Sequence, residues 1–386
     1  MRLEKKSRHR LRIAHITNII DDRKNSGSAR AAKEIITELS EESRCEQIFI
    51  HFSNTSEVKD EIYSLPNTRE IIIPYLKLPF ASHSISFLVF FLAFRIKFKE
   101  KFDVVHWHWI RVYPLFWIIP SLRVFVTVHD ANYRLVKSVR SVPSKFFYWN
   151  LRLSQNKISL FFADSIDARH KIVKYYKFKE DKVKNVYLAT NFDKLTPVKP
   201  SNFKIPNRGF FICVSRWQDY KNVSSLVIAY DNLLKDKADI PKLVLVGKPV
   251  LGHLNPLTIR RNDLLLESLI VYDDLTDNEL AYLYDHAKLN ITPSLSEGFG
   301  LSVLEGIARG CPSLDHRYTS TSEISGYAGI HVDMNSYSEI EKGINNFLES
   351  KNLQRYLRSQ SFARNQYFSW QKTASRLFKF YSAKKY

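Results

Sequence analysis

The sequence predicts an α/β protein of two Rossmann-like domains, each built on a parallel sheet, facing across a cleft. Three observations carry this expectation. Short β-branched or aromatic runs alternate with amphipathic stretches along the whole chain, as parallel strands covered by helices on both faces require. The chain has 386 residues, too many for one ordinary domain at roughly 100–200 residues each. Residues 195–207, Leu-Thr-Pro-Val-Lys-Pro-Ser-Asn-Phe-Lys-Ile-Pro-Asn, hold three prolines and no periodic element, which reads as a linker. The division expected is 1–195, 208–365 and a last segment, 366–386.

Strands are expected near 12–17, 46–52, 70–74, 103–109, 123–129, 159–164 and 184–188 in the first half. In the second half they are expected near 209–215, 242–247, 268–272, 289–292 and 329–333. Helical spacing marks 28–40, 277–287 and Trp370–Tyr381, the last with Ser369 as N-cap. Hydrophobic residues make up 45% and aromatic residues 13%, which excludes a disordered chain.

The formal net charge is +19, and it is concentrated in the first half. Residues 1–200 hold 35 Lys/Arg against 20 Asp/Glu, whereas residues 201–386 hold 23 against 19. Such a half attracts anionic partners. Nucleic acid is the less favoured of these partners, because no basic–aromatic recognition motif of known spacing occurs. The three cysteines, Cys45, Cys213 and Cys311, are far apart and suit a reducing compartment. The basic N-terminus leads into a strand-like run instead of an apolar signal segment, and no run is apolar for about twenty residues. A cytoplasmic protein is expected, with a peripheral position on the inner face of the plasma membrane open to it.

The most informative stretch is Pro293-Ser-Leu-Ser-Glu-Gly-Phe-Gly-Leu-Ser-Val-Leu-Glu-Gly-Ile-Ala-Arg-Gly-Cys-Pro312. A strand runs into a loop with Glu297, Gly298 and Gly300, and a helix starts near Leu301. Glycines before a helix let the backbone approach a ligand, and the free amides there form an anion site suited to a diphosphate. Glu297 in the loop is placed to accept from sugar hydroxyls. Glu305, about one turn inside the helix, is placed to reach hydroxyls deeper in the cleft. The competing reading makes them a solvated loop residue and an exposed helix position. In the run Phe210-Phe-Ile-Cys-Val-Ser-Arg-Trp-Gln-Asp-Tyr-Lys-Asn222, a strand ends near Ser215 and a loop presents Arg216 and Lys221. A guanidinium fork and an ammonium suit a diphosphate whose charge grows as the sugar leaves. Otherwise both are ordinary surface charges.

Together these segments resemble retaining glycosyltransferases of family 4, the group 1 glycosyltransferases of GT-B architecture. Ser215-Arg216 with Lys221-Asn222, the helix Asp277–Ala287, the spacing Glu297 to Glu305, and Glu323–Asp333 occur in the family's order. Asp103-Val-Val-His106, Val126-Thr-Val-His-Asp130 and Asn191-Phe-Asp193 resemble its first domain and the approach to the linker. The segment from Trp370 resembles the family's returning C-terminal helix. The resemblance implies that Arg216 and Lys221 neutralise the donor diphosphate, beside the amides of Gly298, Phe299 and Gly300. It implies that Glu297 holds the donor sugar, that Glu305 binds the ribose and that His129 lies near the reacting centre. For His129 a core or capping role stands beside the catalytic one. The chain departs from the family in its first loop, Asn25-Ser-Gly-Ser28, where Gly27 alone is left to meet a phosphate or the acceptor.

No cofactor or metal is expected. No Asp-x-Asp triplet occurs, Asp273 and Asp274 point to opposite sides of a strand, and His106 and His108 share a face without an evident third ligand. The expected activity is hexosyl transfer from a nucleotide-diphosphate sugar to a lipid-linked or saccharide acceptor in surface-polysaccharide or lipopolysaccharide synthesis. An epimerase or hydrolase of the same fold is the first alternative, and a basic nucleic-acid-binding protein the second. The apolar then basic run Ile85–Lys99 suits an interfacial helix on an anionic membrane surface; a buried helix with a solvated end is the competing reading.

Overall fold

The computed structural model describes residues 10–17, 26–52, 61–77, 85–88, 92, 102–114, 116, 121–135, 142–237, 239–258 and 262–383. The chain divides into two compact units, Met1–Leu188 with Trp370–Tyr386, and Ala189–Ser369.

The first unit holds strands β1 (Leu11–Ile16), β2 (Cys45–Phe52), β3 (Thr68–Ile73), β4 (Phe102–Trp107), β5 (Ser121–Thr127), β6 (Leu160–Ala163) and β7 (Val183–Asn185). They form one sheet in the order β3-β2-β1-β4-β5-β6-β7, with every pairing parallel. Alternation along the strands builds two cores. Ile48, Ile50, Val105, Trp107, Val126 and Phe161 share one apolar cluster, while Phe49 turns the other way toward Ala32 and Ile36. Helices α1 (Gly27–Ser40), α2 (Asn132–Leu135), α3 (Val142–Ser154) and α4 (Ile166–Tyr176) belong to this unit. Ser26 caps α1 by accepting from the Ala29 amide at 3.2 Å.

The second unit holds β8 (Phe210–Val214), β9 (Lys242–Val246), β10 (Leu269–Tyr272), β11 (Leu289–Thr292), β12 (Ser313–His316) and β13 (Gly329–Val332). Their order is β10-β9-β8-β11-β12-β13, again parallel throughout. Its helices are α5 (Val223–Asp236), α6 (Asp263–Ser268), α7 (Asp277–His286), α8 (Leu301–Ala308), α9 (Ser320–Ser325), α10 (Tyr337–Glu349) and α11 (Lys351–Asn365). The final helix, α12 (Trp370–Ser382), packs on the first unit. Its Thr373 hydroxyl donates to the Tyr187 carbonyl at 2.5 Å, and Arg44 lies 4.4 Å from the Phe378 ring centroid.

The structure differs from the sequence expectation in three places. The division falls after Leu188, and the Pro-rich stretch 195–207 packs within the second unit. Arg309 donates to the carbonyls of Phe192 and Leu195 at 3.1 and 3.2 Å, and Phe203 is buried against Phe210. The strand β12 was not expected, because Ser-Leu-Asp-His carries no apolar alternation. Its buried Asp315 has one carboxylate oxygen 2.9 Å from Nδ1 of its register partner on β13, His331. Ile85–Lys99 lies largely outside the described residues, but Phe87 within it is 2% exposed and packs on Phe52 and Tyr113. That aromatic belongs to the core instead of a lipid surface. Among the described residues no helix is long and apolar enough to cross a membrane.

A buried polar seam links α12 to the sheet. His15 pairs with His106 across β1 and β4, and His15, His106 and His108 cluster. His15 Nδ1 and His108 Nε2 are 2.9 Å apart. The Tyr381 hydroxyl lies 2.6 Å from His106 Nδ1, and Thr127 Oγ1 lies 2.9 Å from His106 Nε2. Burial lowers all three imidazole pKa values, that of His15 to about 3, so the rings are neutral. Both ring nitrogens of His106 are engaged, and His15 supplies beside His106 and His108 the third imidazole that the sequence did not show. Burial also pushes the Tyr381 phenol well above its ordinary value, so the hydroxyl keeps its proton and donates to Nδ1. Tyr381→Phe leaves that nitrogen without a donor in a dry site. Urea unfolding is expected to show a loss of about 1–3 kcal/mol, with the slope of the transition unchanged.

Candidate active site

Every strand of the second sheet points the same way, so the loops after them gather at one edge. The chain leaves β8 toward β9 on one side, while β11, its other neighbour, leads to β12 on the opposite side. Loops diverge at such a switch point and leave a crevice beyond the strand ends, where open α/β sheets bind ligands. The two segments singled out from the sequence, 215–222 and 293–300, are the loops after β8 and β11.

Several bonds fix these loops to each other. The Leu295 amide donates to the Tyr220 carbonyl at 2.8 Å. Asn222 takes left-handed backbone angles, φ 57° and ψ 26°, and its Nδ2 donates to the carbonyls of Met334 at 2.7 Å and Pro293 at 3.3 Å. Gly247, just after β9, has φ +142°, and a Cβ there would lie 1.9 Å from the Ser215 carbonyl oxygen. Only glycine tolerates so close a backbone approach. The next residue, Lys248, accepts from the Trp217 amide at 3.1 Å. Asn222 stood in the sequence motif without a role, and Gly247 was not singled out. A glycine directly after the apolar run Leu243–Val246 was the available signal for the second.

On this frame Lys221 meets Glu297. The ammonium lies 2.5 Å from Oε1, with 19% and 16% of the two side chains exposed. The pair sits against Gly298, at the start of the glycine turn. Gly300 caps α8 with φ 101° and ψ 54°, and no side chain supplies a cap. A Cβ there would also lie 3.1 Å from the Thr321 methyl. The first two amides of α8, those of Leu301 and Ser302, have no partner within the helix, while that of Val303 turns back to the Gly300 carbonyl at 3.1 Å; the helix dipole adds positive potential at that end. The start of α8 is held down by its own Ser302 carbonyl, which accepts from Asn290 at 2.8 Å and from the Tyr284 hydroxyl at 3.1 Å. Phe299 turns its ring inward against Phe368, with centroids 5.8 Å apart, leaving only its backbone for a ligand.

Glu305 is 6% exposed, so it is not the solvated helix position of the competing reading. Arg216 is exposed on the loop that carries Lys221, and its side chain has no hydrogen bond or ion pair among the described residues. The structure therefore brings Lys221, Glu297 and the Gly298–Gly300 turn together, with Glu305 on the helix behind them. Arg216 stays on the same loop without a fixed partner.

Gly27 and His129 belong to the first unit. Gly27 opens α1 as its first residue and is exposed; the loop before Ser26 lies outside the described residues. His129 follows β5 and is held on both sides. Its Nδ1 lies 2.8 Å from Asp164 Oδ2, and its Nε2 lies 3.0 Å from the His108 carbonyl oxygen. A carboxylate and a carbonyl can only accept. Both ring nitrogens therefore donate, and the ring is an imidazolium. Burial, the largest single influence, lowers its pKa. The Asp164 charge and hydrogen bond, the His108 carbonyl and the Asp130 charge together outweigh it and raise the pKa above the ordinary value. With both nitrogens engaged, His129 is held in an arrangement that favours its protonated form. Asp164 was missed in the sequence; its position directly after the apolar run Leu160–Ala163 was the signal.

The sign of the pH effect follows from the raised value. The stabilisation from this pair is complete below the unfolded histidine pKa and is lost as pH rises through the folded one. In Asp164→Asn the His129 ring is expected to titrate at lower pH, which ring-proton NMR reads directly. The variant should also lose less stability than the parent as pH rises above about 6.5.

Residues 197–364 match the family model described as Glycosyl transferases group 1, and residues 25–194 match that described as Glycosyltransferase Family 4. The serotype-specific mannosyltransferase WbdA of Escherichia coli is 27% identical over 244 residues, 59% of this chain and 29% of WbdA. O-antigen chain mannosyltransferase B of Escherichia coli is 26% identical over 235 residues, 58% of this chain and 60% of that protein. The chain thus spans only part of the length of the curated relatives it matches. Among solved structures, HepE of Anabaena superposes with a TM-score of 0.70 at 15% identity, over 96% of this chain and 99% of that one. The two family models adjoin and between them take in both units, so this chain belongs to the family 4, group 1 glycosyltransferases of GT-B fold.

Proposed function

We propose that the chain transfers a hexose from a nucleotide-diphosphate sugar to a lipid-linked or saccharide acceptor, in the synthesis of a bacterial surface polysaccharide. The observation that carries this reading is the Lys221–Glu297 pair at the mouth of an uncapped helix, at the switch point of a parallel sheet. The similarity to O-antigen mannosyltransferases supports the acceptor class and makes mannose the first sugar to test. HepE is described in complex with UDP and glucose, which supports a nucleoside diphosphate as the other half of the donor.

In this reading the diphosphate lies on the amides of Gly298, Phe299 and Gly300, with Arg216 and Lys221 against its oxygens. Lys221 moves from Glu297 to phosphate as the donor arrives, which frees the carboxylate to accept from sugar hydroxyls. Glu305 accepts from the ribose. The bond from the anomeric carbon to the diphosphate then breaks, with its electron pair going to the phosphate oxygen. The acceptor oxygen bonds the anomeric carbon and passes its proton to the departing phosphate oxygen. Cations held at the leaving group stabilise the transition state more than the ground state. This accounts for transfer without a metal, and family membership supports retention of configuration at the anomeric carbon. A lipid-linked acceptor places the reaction at the inner face of the membrane.

A thermal-shift screen across UDP-, GDP-, ADP- and dTDP-sugars tests the site, and labelled donor tests the reaction. Lys221→Ala should lower kcat/KM about 10²–10³-fold, as removal of one preorganised charge at developing negative charge does elsewhere. Glu305→Ala should weaken the thermal response to the best nucleotide sugar, by an affinity loss of about 1.5–3 kcal/mol. Unchanged responses in both variants would remove the site. Label released only as free sugar would make the protein a hydrolase.

A further inference from the structure

Helix α3 is apolar on two opposite sides. Its inner side, Tyr148 and Leu151 with Phe147 beside them, packs in the first unit's core. Its outer side carries Phe146, Trp149 and Leu153, which are 50%, 55% and 79% exposed. Spacings of three and four residues set these three in one strip along the helix. A surface helix of a water-soluble fold turns charged and polar residues outward. Here the outward strip is two aromatic rings and a leucine. Two outer rings are braced by inner ones: Phe146 stands edge-on to Phe147, and Trp149 to Tyr148, each at a centroid distance of 5.5 Å. The strip is therefore a supported surface.

The charged residues on α3 and just beyond its end are basic. Lys145 and Lys157, at the two ends, are exposed, and Arg152 donates to the Tyr176 carbonyl at 3.3 Å. From Val142 to Ala163 the sequence holds three Lys/Arg (Lys145, Arg152 and Lys157) and no Asp or Glu. An apolar strip edged by cations matches the boundary between acyl chains and acidic headgroups. A second copy of the chain fits poorly, since pairing this face with itself would set cation against cation without a carboxylate between them. A nucleic acid would use the cations and leave Leu153 and Phe146 in water.

We propose that the outer face of α3 docks on an anionic lipid surface, with Phe146, Trp149 and Leu153 entering the acyl boundary and Lys145 and Lys157 at the headgroups. The biological use of this surface rests on the lipid-linked acceptor proposed above, whereas the docking itself does not.

Co-sedimentation of the full chain with phosphatidylcholine vesicles, with and without about 30% phosphatidylglycerol, tests the proposal. Binding to the anionic vesicles is expected, weakening as salt is raised. Trp149→Ser and Leu153→Ser should each weaken it about tenfold or more, as loss of one large apolar side chain from the boundary implies. Both positions are exposed, so the variants should keep the parent's thermal response to nucleotide sugar. Brominated lipid should quench a fluorescence component that is missing in Trp149→Phe. Equal binding to neutral and anionic vesicles, or binding unchanged in both serine variants, would overturn the proposal. So would a concentration-dependent dimer, read by light scattering, that ignores vesicles and is lost in Leu153→Ser. Retained vesicle binding without any nucleotide-sugar response would leave the docking face standing and remove the transferase reading instead.

Discussion

The candidate site of the second unit is centred on one ion pair, Lys221 with Glu297, formed between the loops that follow β8 and β11. Neither residue would be fixed by its own loop alone. The Leu295–Tyr220 backbone bond and the two Asn222 amide bonds bring the loops into register, and the close approach at Gly247 limits where the first loop can lie. The pair is mostly shielded from water, so neither charge can lose its partner cheaply. In the function proposed, a ligand that carries its own negative charge and its own hydroxyls would replace both halves of the pair at once.

The first unit treats charge differently. Its histidine cluster is neutral because burial drives His15, His106 and His108 well below their ordinary range. A short distance along the same strand ends, His129 is cationic because Asp164 and the His108 carbonyl leave it no acceptor role. The two outcomes come from partner chemistry, since both environments are buried. The neutral cluster ties α12 to the sheet through Tyr381, so the chain's last helix is joined to the unit by a polar bond as well as by packing. The outer face of α3 adds a third kind of surface to this unit, apolar and rimmed by cations, on the side of the helix away from the core.

Much of this was legible in the sequence, because parallel sheets buried on both faces need nearly continuous apolar runs and those runs are visible. The strand–glycine–helix segment from Leu289 to Ala308 was legible for a similar local reason. A left-handed cap at Gly300 and an apolar helix face both leave a mark on neighbouring residues. The boundaries of most strands and of α1, α7 and α12 follow from the same local periodicities.

What the sequence alone determined was the inventory: two α/β units, a glycine turn before a helix, and cations on a preceding loop. Tertiary structure decided the pairings. Strand β12 was invisible because Asp315 is tolerable in a core only opposite His331, and that opposition is set by sheet register. The prolines at 195–207 marked a break in periodicity, but Arg309 and the core around Phe203 decided that the stretch packs in the second unit. The protonation of His129, the third member of the histidine cluster and the burial of Glu305 depend on residues tens of positions away. Local propensity cannot report such partners, because a hydrogen bond or a shared core between distant segments exists only after the chain has closed the loop between them.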